Sequence, residues 1–386
     1  MSKVEIRGVW LTKTDSKVLH SRKNIAQAME FLAETGFNVV FPVVWNQGVT
    51  LYPSQTMWRM FGIEIDSRFL GRDPLQELVE EARKVGLKVI PWFEYGFASS
   101  YNANGGFLLT QRPEWGAYNY QGRLLKKNGF EWLNAFDFQV QEFLLNLFLE
   151  VVRNYDVDGV QGDDRFPALP SEGGYDQLTV NRYLQEFKKH PPKNHQDKHW
   201  LQWRANILTD VLGLLYREVK AVNSNLLVSM SPNIYDWSLR EYLQDYPSWL
   251  KQGFIDIIHP QIYRRDFLSY KCILRRLIYE QFTDIMLPKL APGILIKLGK
   301  YTIKPELLVK VIEYHRQVGI NGEVCFFYEG LRDNNDLLGK VLRKSVYSQS
   351  AQFPSLADLQ GVNGGYPRSF SILQRLEKQL RKIFRV

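Results

Sequence analysis

Asp158-Gly159-Val160-Gln161-Gly162-Asp163-Asp164-Arg165-Phe166 opens as a strand of small and apolar residues and runs straight into two adjacent acids. Side chains alternate along a strand, so Gln161 and Asp163 share one face and Asp164 starts the loop. In a (β/α)8 barrel the loops at the C-terminal ends of the strands build the active site, and acids placed there read as catalytic rather than structural. The fold therefore turns on whether seven similar strands accompany this one.

The rest of the chain supplies them. Residues 5–12 (EIRGVWLT) are a short run of β-formers, after which Ser21 offers an N-cap. Ile25, Ala28, Met29 and Leu32 then recur at helical spacing until Gly36. Residues 37–45 (FNVVFPVVW) are nearly all apolar, which suits a parallel strand buried on both faces. Asp73-Pro74 opens the next helix and Gly86 closes it. Strand three is 87–95 (LKVIPWFEY); a long connection runs through Asn134, and a helix over 138–155 leads to strand four at 159–163. Later strands are expected at 226–231, 255–263, 285–292 and 322–328, with helices over 200–222, 240–252, 270–281, 305–318 and 335–346 and a loop at 191–199. This alternation predicts an α/β fold, a (β/α)8 TIM barrel over residues 1–347. An open doubly wound sheet would carry GxGxxG after its first strand, and none is present.

Beyond the barrel, residues 348–368 are rich in Ser, Gln, Gly and Pro and read as a linker. Over 372–384, Ile372, Leu373, Leu376, Leu380, Ile383 and Phe384 fall at helical spacing with Arg375, Lys378, Arg381 and Lys382 between them. A basic amphipathic C-terminal helix packed on the barrel is expected there, with peripheral contact to a membrane surface as the alternative.

Composition narrows the function. A chain of 386 residues, 45% hydrophobic, can bury one large core and carry a short appendage. No run approaches the roughly 18 apolar residues of a membrane span. The N-terminus, MSKVEIRGVW, lacks the apolar segment of a secretory signal, so the expected location is the cytoplasm, or the cell envelope if a signal has been removed. Cys272 falls in an expected helix and Cys325 in a strand, which gives no disulfide framework. The net charge is +8, but residues 348–386 hold six Lys or Arg against two acids, so the barrel is only mildly basic and no nucleic-acid partner is expected. Among six His there is no His-x-His pair, and His195 and His199 lack the Glu of HExxH, so neither metal nor cofactor is expected. GxSxG and phosphate-cradling loops are absent as well. Nothing in the sequence sets the oligomeric state.

Cleavage of a glycosidic bond needs two carboxyl groups, one to protonate the leaving oxygen and one to attack or to activate water. Asp163 is the first choice for the carboxylate, with Asp164 orienting or replacing it. Glu94 ends strand three and Glu329 ends strand eight; aromatic neighbours would raise either carboxyl toward the range of a general acid. Residues 259–265 (HPQIYRR) end strand six, where His259, Gln261 and Tyr263 can meet sugar hydroxyls. Gln161, Arg165 and Asn233 lie at other strand ends, and Trp45, Trp92, Tyr95, Tyr263 and Tyr328 offer ring faces to an oligosaccharide or polysaccharide. A non-catalytic glycan-binding barrel is the rival reading, and the distance between carboxyl groups separates the two.

Taken in order, RGVWLT, FNVVFPVVWNQGVTLYPS, WFEYGF, VDGVQGDDRF, SMSPN and HPQIY resemble the bacterial glycosyl-hydrolase-like family 10 proteins over residues 5–332. The resemblance implies a TIM-barrel glycosidase, in many members a cell-envelope lipoprotein, with a role on peptidoglycan or related glycans. The chain departs from the pattern of many members in three places. It has Arg165 in place of an aromatic residue after the paired acids, Gln161 in place of a His before them, and Glu94 in place of Asn on strand three.

Overall fold

The computed structural model describes residues 3–360. Eight parallel strands carry the alternation: β1 Ile6–Leu11, β2 Val39–Pro42, β3 Lys88–Val89, β4 Gly159–Asp163, β5 Leu227–Ser231, β6 Ile257–Ile258, β7 Gly293–Leu295 and β8 Gly322–Phe326. Their ladders run β7–β8–β1–β2–β3 and β4–β5–β6. Parallel bridges from Trp92 to Gln161 and from Gln261 to Gly293 join the two groups on either side, so the sheet closes on itself. Closure removes the exposed edge that an open sheet would leave.

Each strand leads to a helix: α1 Arg22–Thr35, α2 Pro74–Lys84, α3 Phe138–Asn154, α4 Lys198–Val222, α5 Tyr246–Gln252, α6 Phe267–Gln281, α7 Pro305–Gln317 and α8 Tyr328–Lys344. Local chemistry sets their ends. Ser21 caps α1 by accepting from the Asn24 N–H, and Gly36 ends it at φ +97°, a conformation that glycine adopts without a Cβ penalty. Asp73, Asp137 and Asp197 cap α2, α3 and α4 in the same way. All four residues of β2 are buried, as its unbroken apolar run requires between barrel interior and helical layer.

The barrel interior is aromatic. Trp10 of β1 lies 5.9 Å from Phe41, 6.3 Å from Trp92, 6.2 Å from His259 and 6.1 Å from Phe326, measured between ring centroids. Gly8 makes room for this layer, since a Cβ there would sit 2.8 Å from the Phe41 ring. The Trp10 indole N–H donates to Gln161 Oε1 at 2.6 Å, and Gln161 Nε2 donates to Ser229 Oγ at 2.8 Å. One side chain thus ties β1 to β4 and β5 across the interior.

Three elements differ from the sequence reading. Strand seven is Gly293–Leu295 rather than 285–292: Leu287–Lys289 is a 3-10 turn, and pairing with β6 starts only with the parallel bridge from Leu290 to Ile258. The helix expected over 240–252 is two, Trp237–Tyr242 and α5, separated at Leu243, whose φ of +59° ends the first. The last helix begins earlier than 335 and is interrupted at Asp333–Asp336, where Asn334, Asn335 and Asp336 take φ of +52°, +56° and +62°. Asn and Asp tolerate that left-handed backbone better than other residues.

The expected linker is docked as far as it is described. Ala351–Gln352 pairs in parallel with Lys3–Val4, Arg7 Nη1 donates to Gln349 O at 2.9 Å, and Leu359 of the short helix Leu356–Leu359 is fully buried. Backbone pairing and apolar burial override the loop-like composition. The helix read over 372–384 lies outside the described residues. Among the described residues both cysteines are free and no helix is long and apolar enough to cross a membrane.

Candidate active site

The end of β4 and the loops after β3 and β4 bring three carboxyl groups around one guanidinium. Arg165 Nη2 is 2.9 Å from Asp163 Oδ2 and 3.8 Å from Glu94 Oε1, and its Nη1 is 3.2 Å from Asp164 Oδ1. Arg165 Nε donates to the Glu94 carbonyl at 2.7 Å, fixing the plane of the fork. Above it lies the Phe130 ring, 4.8 Å from the guanidinium carbon, with Tyr95 at 5.7 Å. A cation held against two ring faces stays in place while its carboxylate partners change charge.

The acids have different surroundings. Asp163 is 1% exposed, and each of its oxygens is taken: Oδ1 accepts from the Arg165 N–H at 2.8 Å, and Oδ2 from Arg165 Nη2 and from the Trp92 indole at 3.2 Å. Asp164 is 22% exposed and accepts from Asn233 Nδ2 at 3.1 Å. Glu94 is 20% exposed, and its Oε2 accepts from Asn46 Nδ2 at 2.5 Å. Burial pushes the Glu94 carboxyl above its usual range, against the pull of Arg165 and Asn46. Burial likewise pushes Asp163 up, opposed by Arg165 and reinforced by Asp164 and Glu94. Three carboxyls share one cation, so the group holds a proton more readily than isolated acids would.

The shared guanidinium sets an upper bound on the separation of the carboxyl groups. Glu94 and Asp163 both touch Arg165 Nη2, so their facing oxygens can be no farther apart than 2.9 Å and 3.8 Å laid end to end. Asp164 contacts the neighbouring nitrogen of the same planar group. Both pairs thus lie inside the outer limit of about 9.5 Å for glycosidases.

Other expected site residues divide by depth. Asn233, Gln261, Tyr263 and Arg165 are half-buried at the mouth. Gln261 Nε2 donates to Ser231 O at 2.9 Å, and the Tyr263 hydroxyl is pushed well up by burial and by the charges of Asp164 and Asp163. Seven assignments need correction, the first being Tyr95, which is buried with its ring against Phe130 and the Arg165 guanidinium instead of open to a sugar. Gln161 is fully buried with both amide ends engaged, so it is an interior tie rather than a sugar ligand. His259 is fully buried beside Phe41 and Trp10, its Nδ1 paired with Ala291 O at 2.7 Å, and burial pulls its pKa down to about 4. Trp45 is buried against Phe143 and donates to Gly96 O at 3.0 Å. Trp92 is buried and positions Asp163 instead of offering a face. Tyr328 packs edge-on against Phe31 of α1, in the helical layer rather than the mouth. Glu329 falls in the first turn of α8, and among the described residues it makes no hydrogen bond or ion pair with the cluster.

Three participants were missed. Asn46 sits in WNQGV, a turn signal that could have marked a hairpin poised beside strand three. Phe130 comes from a small antiparallel sheet of Ala98–Tyr101, Lys126–Lys127 and Phe130–Trp132 inside the long connection after β3, where no periodicity was legible. Gln244, whose Nε2 donates to Asp163 O at 2.8 Å, lies between the two helices that had been read as one.

Residues 5–310 match the family described as Glycosyl hydrolase-like 10. The chain belongs to that family. Glycosyl hydrolase DigH of Escherichia coli (strain K12) is 25% identical over 375 residues, spanning 89% of this chain and 82% of that protein. Glycosyl hydrolase YngK of Bacillus subtilis (strain 168) is 22% identical over 421 residues, with 98% and 79% covered. Among solved structures, the PgaB (BpsB) glycoside hydrolase domain from Bordetella bronchiseptica aligns with TM-score 0.65 at 13% identity over 88% of this chain and 99% of that one. Alpha-L-fucosidase isoenzyme 2 from Paenibacillus thiaminolyticus aligns with TM-score 0.62 at 18% identity over 88% of this chain and 49% of that one. These structures share the barrel. In this Glycosyl hydrolase-like 10 member, two positions at which the sequence was read as departing from the family pattern, Glu94 and Arg165, are in direct contact.

Proposed function

We propose that this chain hydrolyses O-glycosidic bonds of a bacterial glycan, with Glu94 as general acid and Asp164 as nucleophile or base. The observation that carries the reading is the gathering of Glu94, Asp163 and Asp164 around Arg165 at one mouth of the barrel, with the raised carboxyl on Glu94. Asp164 replaces Asp163 in the attacking role because it is 22% exposed at the mouth while Asp163 is buried, although both carboxylates have their two oxygens engaged. Glu94 passes its proton to the leaving oxygen as the bond to the anomeric carbon breaks, and Asp164 attacks that carbon or takes a proton from the attacking water. Arg165 stays between the two, balancing the charge that moves from one to the other. Peptidoglycan strands are the first substrate to try, on the strength of the family resemblance.

One observation favours a binding barrel without turnover: the guanidinium engages all three acids and leaves none of them unpaired. Incubation with peptidoglycan strands, with and without stem peptides, and with other glycans, followed by mass spectrometry, separates the two. Cleavage that disappears in Glu94→Gln and Asp164→Asn is expected. Retained binding with no product from any glycan would sink the catalytic reading.

A further inference from the structure

A cavity of about 620 Å3 opens between the segments that follow β1 and β2. That volume is within the roughly 300–1,000 Å3 typical of small-ligand sites. Lys13 follows the end of β1 and Gln47 the end of β2, so the cavity is on the same side of the barrel as the acids. The hairpin Trp45–Asn46 and Val49–Thr50 touches both, since Gln47 and Val49 line the cavity and Asn46 donates to Glu94. Gln47 Oε1 in turn accepts from Lys13 Nζ at 3.4 Å. Gln47 holds this place at φ +53°, next to Gly48 at +76°. Positive φ at both positions is what the two-residue turn of this hairpin requires, and it fixes where Gln47 stands.

The lining fits a sugar. Trp58, on the short helix Gln55–Phe61, is 57% exposed although Met57 and Phe61 of the same helix are buried. Its indole therefore offers an open ring face to the cavity, with Leu70, Ile63 and Ile65 as apolar neighbours. The charges are already matched. Asp66 Oδ2 is 2.8 Å from both Lys13 Nζ and Arg68 Nη2, and Glu64 lines the same cavity, so the lining has two cations, two acids and no net charge. Such a site has no spare charge with which to select an ionic ligand.

We infer that this cavity is a distal subsite for uncharged sugar units of the glycan chain whose scissile bond lies at Glu94 and Asp164, with Trp58 as stacking face and Gln47 as guide between the two. The inference rests on the proposal that the carboxylate cluster engages glycans, and it makes the protein a reader of chains rather than of single sugars.

Binding of chitin-derived and cellulose-derived oligosaccharides of two to six units, followed by calorimetry with the full chain, tests it. Affinity is expected to rise with length in the wild type, and Trp58→Ala should remove about tenfold of that rise, the scale of one well-seated aromatic contact. Asp164→Asn should keep the length dependence, because its role is in turnover. Gln47→Gly, which relieves the backbone and keeps the fold, should flatten the same dependence. A wild type that binds by length but cleaves nothing sinks the catalytic reading and leaves the subsite standing. Equal length dependence in wild type and Trp58→Ala, or no binding of either series by either protein, overturns the subsite.

Discussion

Asparagine in place of Asp163 would put an amide NH2 at one of two positions that now accept, Oδ1 from the Arg165 N–H or Oδ2 from Arg165 Nη2 and the Trp92 indole. A donor would face a donor, and Arg165 would lose its buried partner. Breaking such a pair costs about 3 kcal/mol or more, so Asp163→Asn should lower Tm by several degrees in a thermal melt. Asp164→Asn, half-open to solvent, should leave Tm close to wild type while reducing turnover far more than glycan binding. Equal melting of the two variants would contradict the division of labour. Glu94 adds a pH signature. Its folded pKa is raised from the ordinary 4.5 by burial, so its contribution to stability is complete below 4.5 and is lost as pH rises through the folded value. Glu94→Gln, neutral at every pH, should therefore gain Tm over wild type toward alkaline pH and show no gain near pH 4. The same substitution should lower kcat by about a hundredfold or more, most for poor leaving groups, and abolish the alkaline limb that the acid imposes.

At the scale of elements, the N-terminal end of the barrel is held by chain segments distant in sequence. Glu5 accepts from Arg7 and from Arg316 of α7, while Arg316 also donates to Val346 O at 2.8 Å. Residues 351–360 then add a strand pair and bury Leu359. Burying one Leu side chain is worth about 1.5–3 kcal/mol, so a chain ended after Tyr347 should unfold at lower temperature than one ended after Gln360. Identical melts would mean that this segment only rests on the barrel. Its docking was not legible because its composition is that of a loop, and the pairing that orders it comes from Lys3–Val4, far away in sequence. Strand seven was misplaced for a different reason: apolar content in 285–292 pointed to a strand, but its first half winds into the 3-10 turn Leu287–Lys289 and pairing starts only at Leu290. The other seven strands and most helix ends were readable because caps, glycines and apolar periodicity are local.

For the molecule as a whole, parity along a strand tells which face a residue takes but not how deep in the barrel it lies. Gln161 and Asp163 share the inner face of β4, yet two residues of rise, about 6.6 Å, separate the layer of Trp10 from the layer of Arg165. The gathering of Glu94 and the paired acids at the strand ends was therefore legible, whereas Gln161 and His259 were read as mouth residues and belong to the interior. Depth depends on the stagger of all eight strands, which no single segment encodes. This assigns Gln161 a testable role. Gln161→Leu removes the acceptor of the Trp10 indole N–H and the donor to Ser229 Oγ, two buried groups that would each lose about 1–3 kcal/mol of compensation. In a domain this large every 1 kcal/mol moves Tm by roughly 2–4 °C, so the variant should melt clearly earlier. Glycan affinity below that temperature should be unchanged, because the side chain cannot reach the mouth. Weakened binding at unaltered Tm would instead place Gln161 against the sugar and return it to the site.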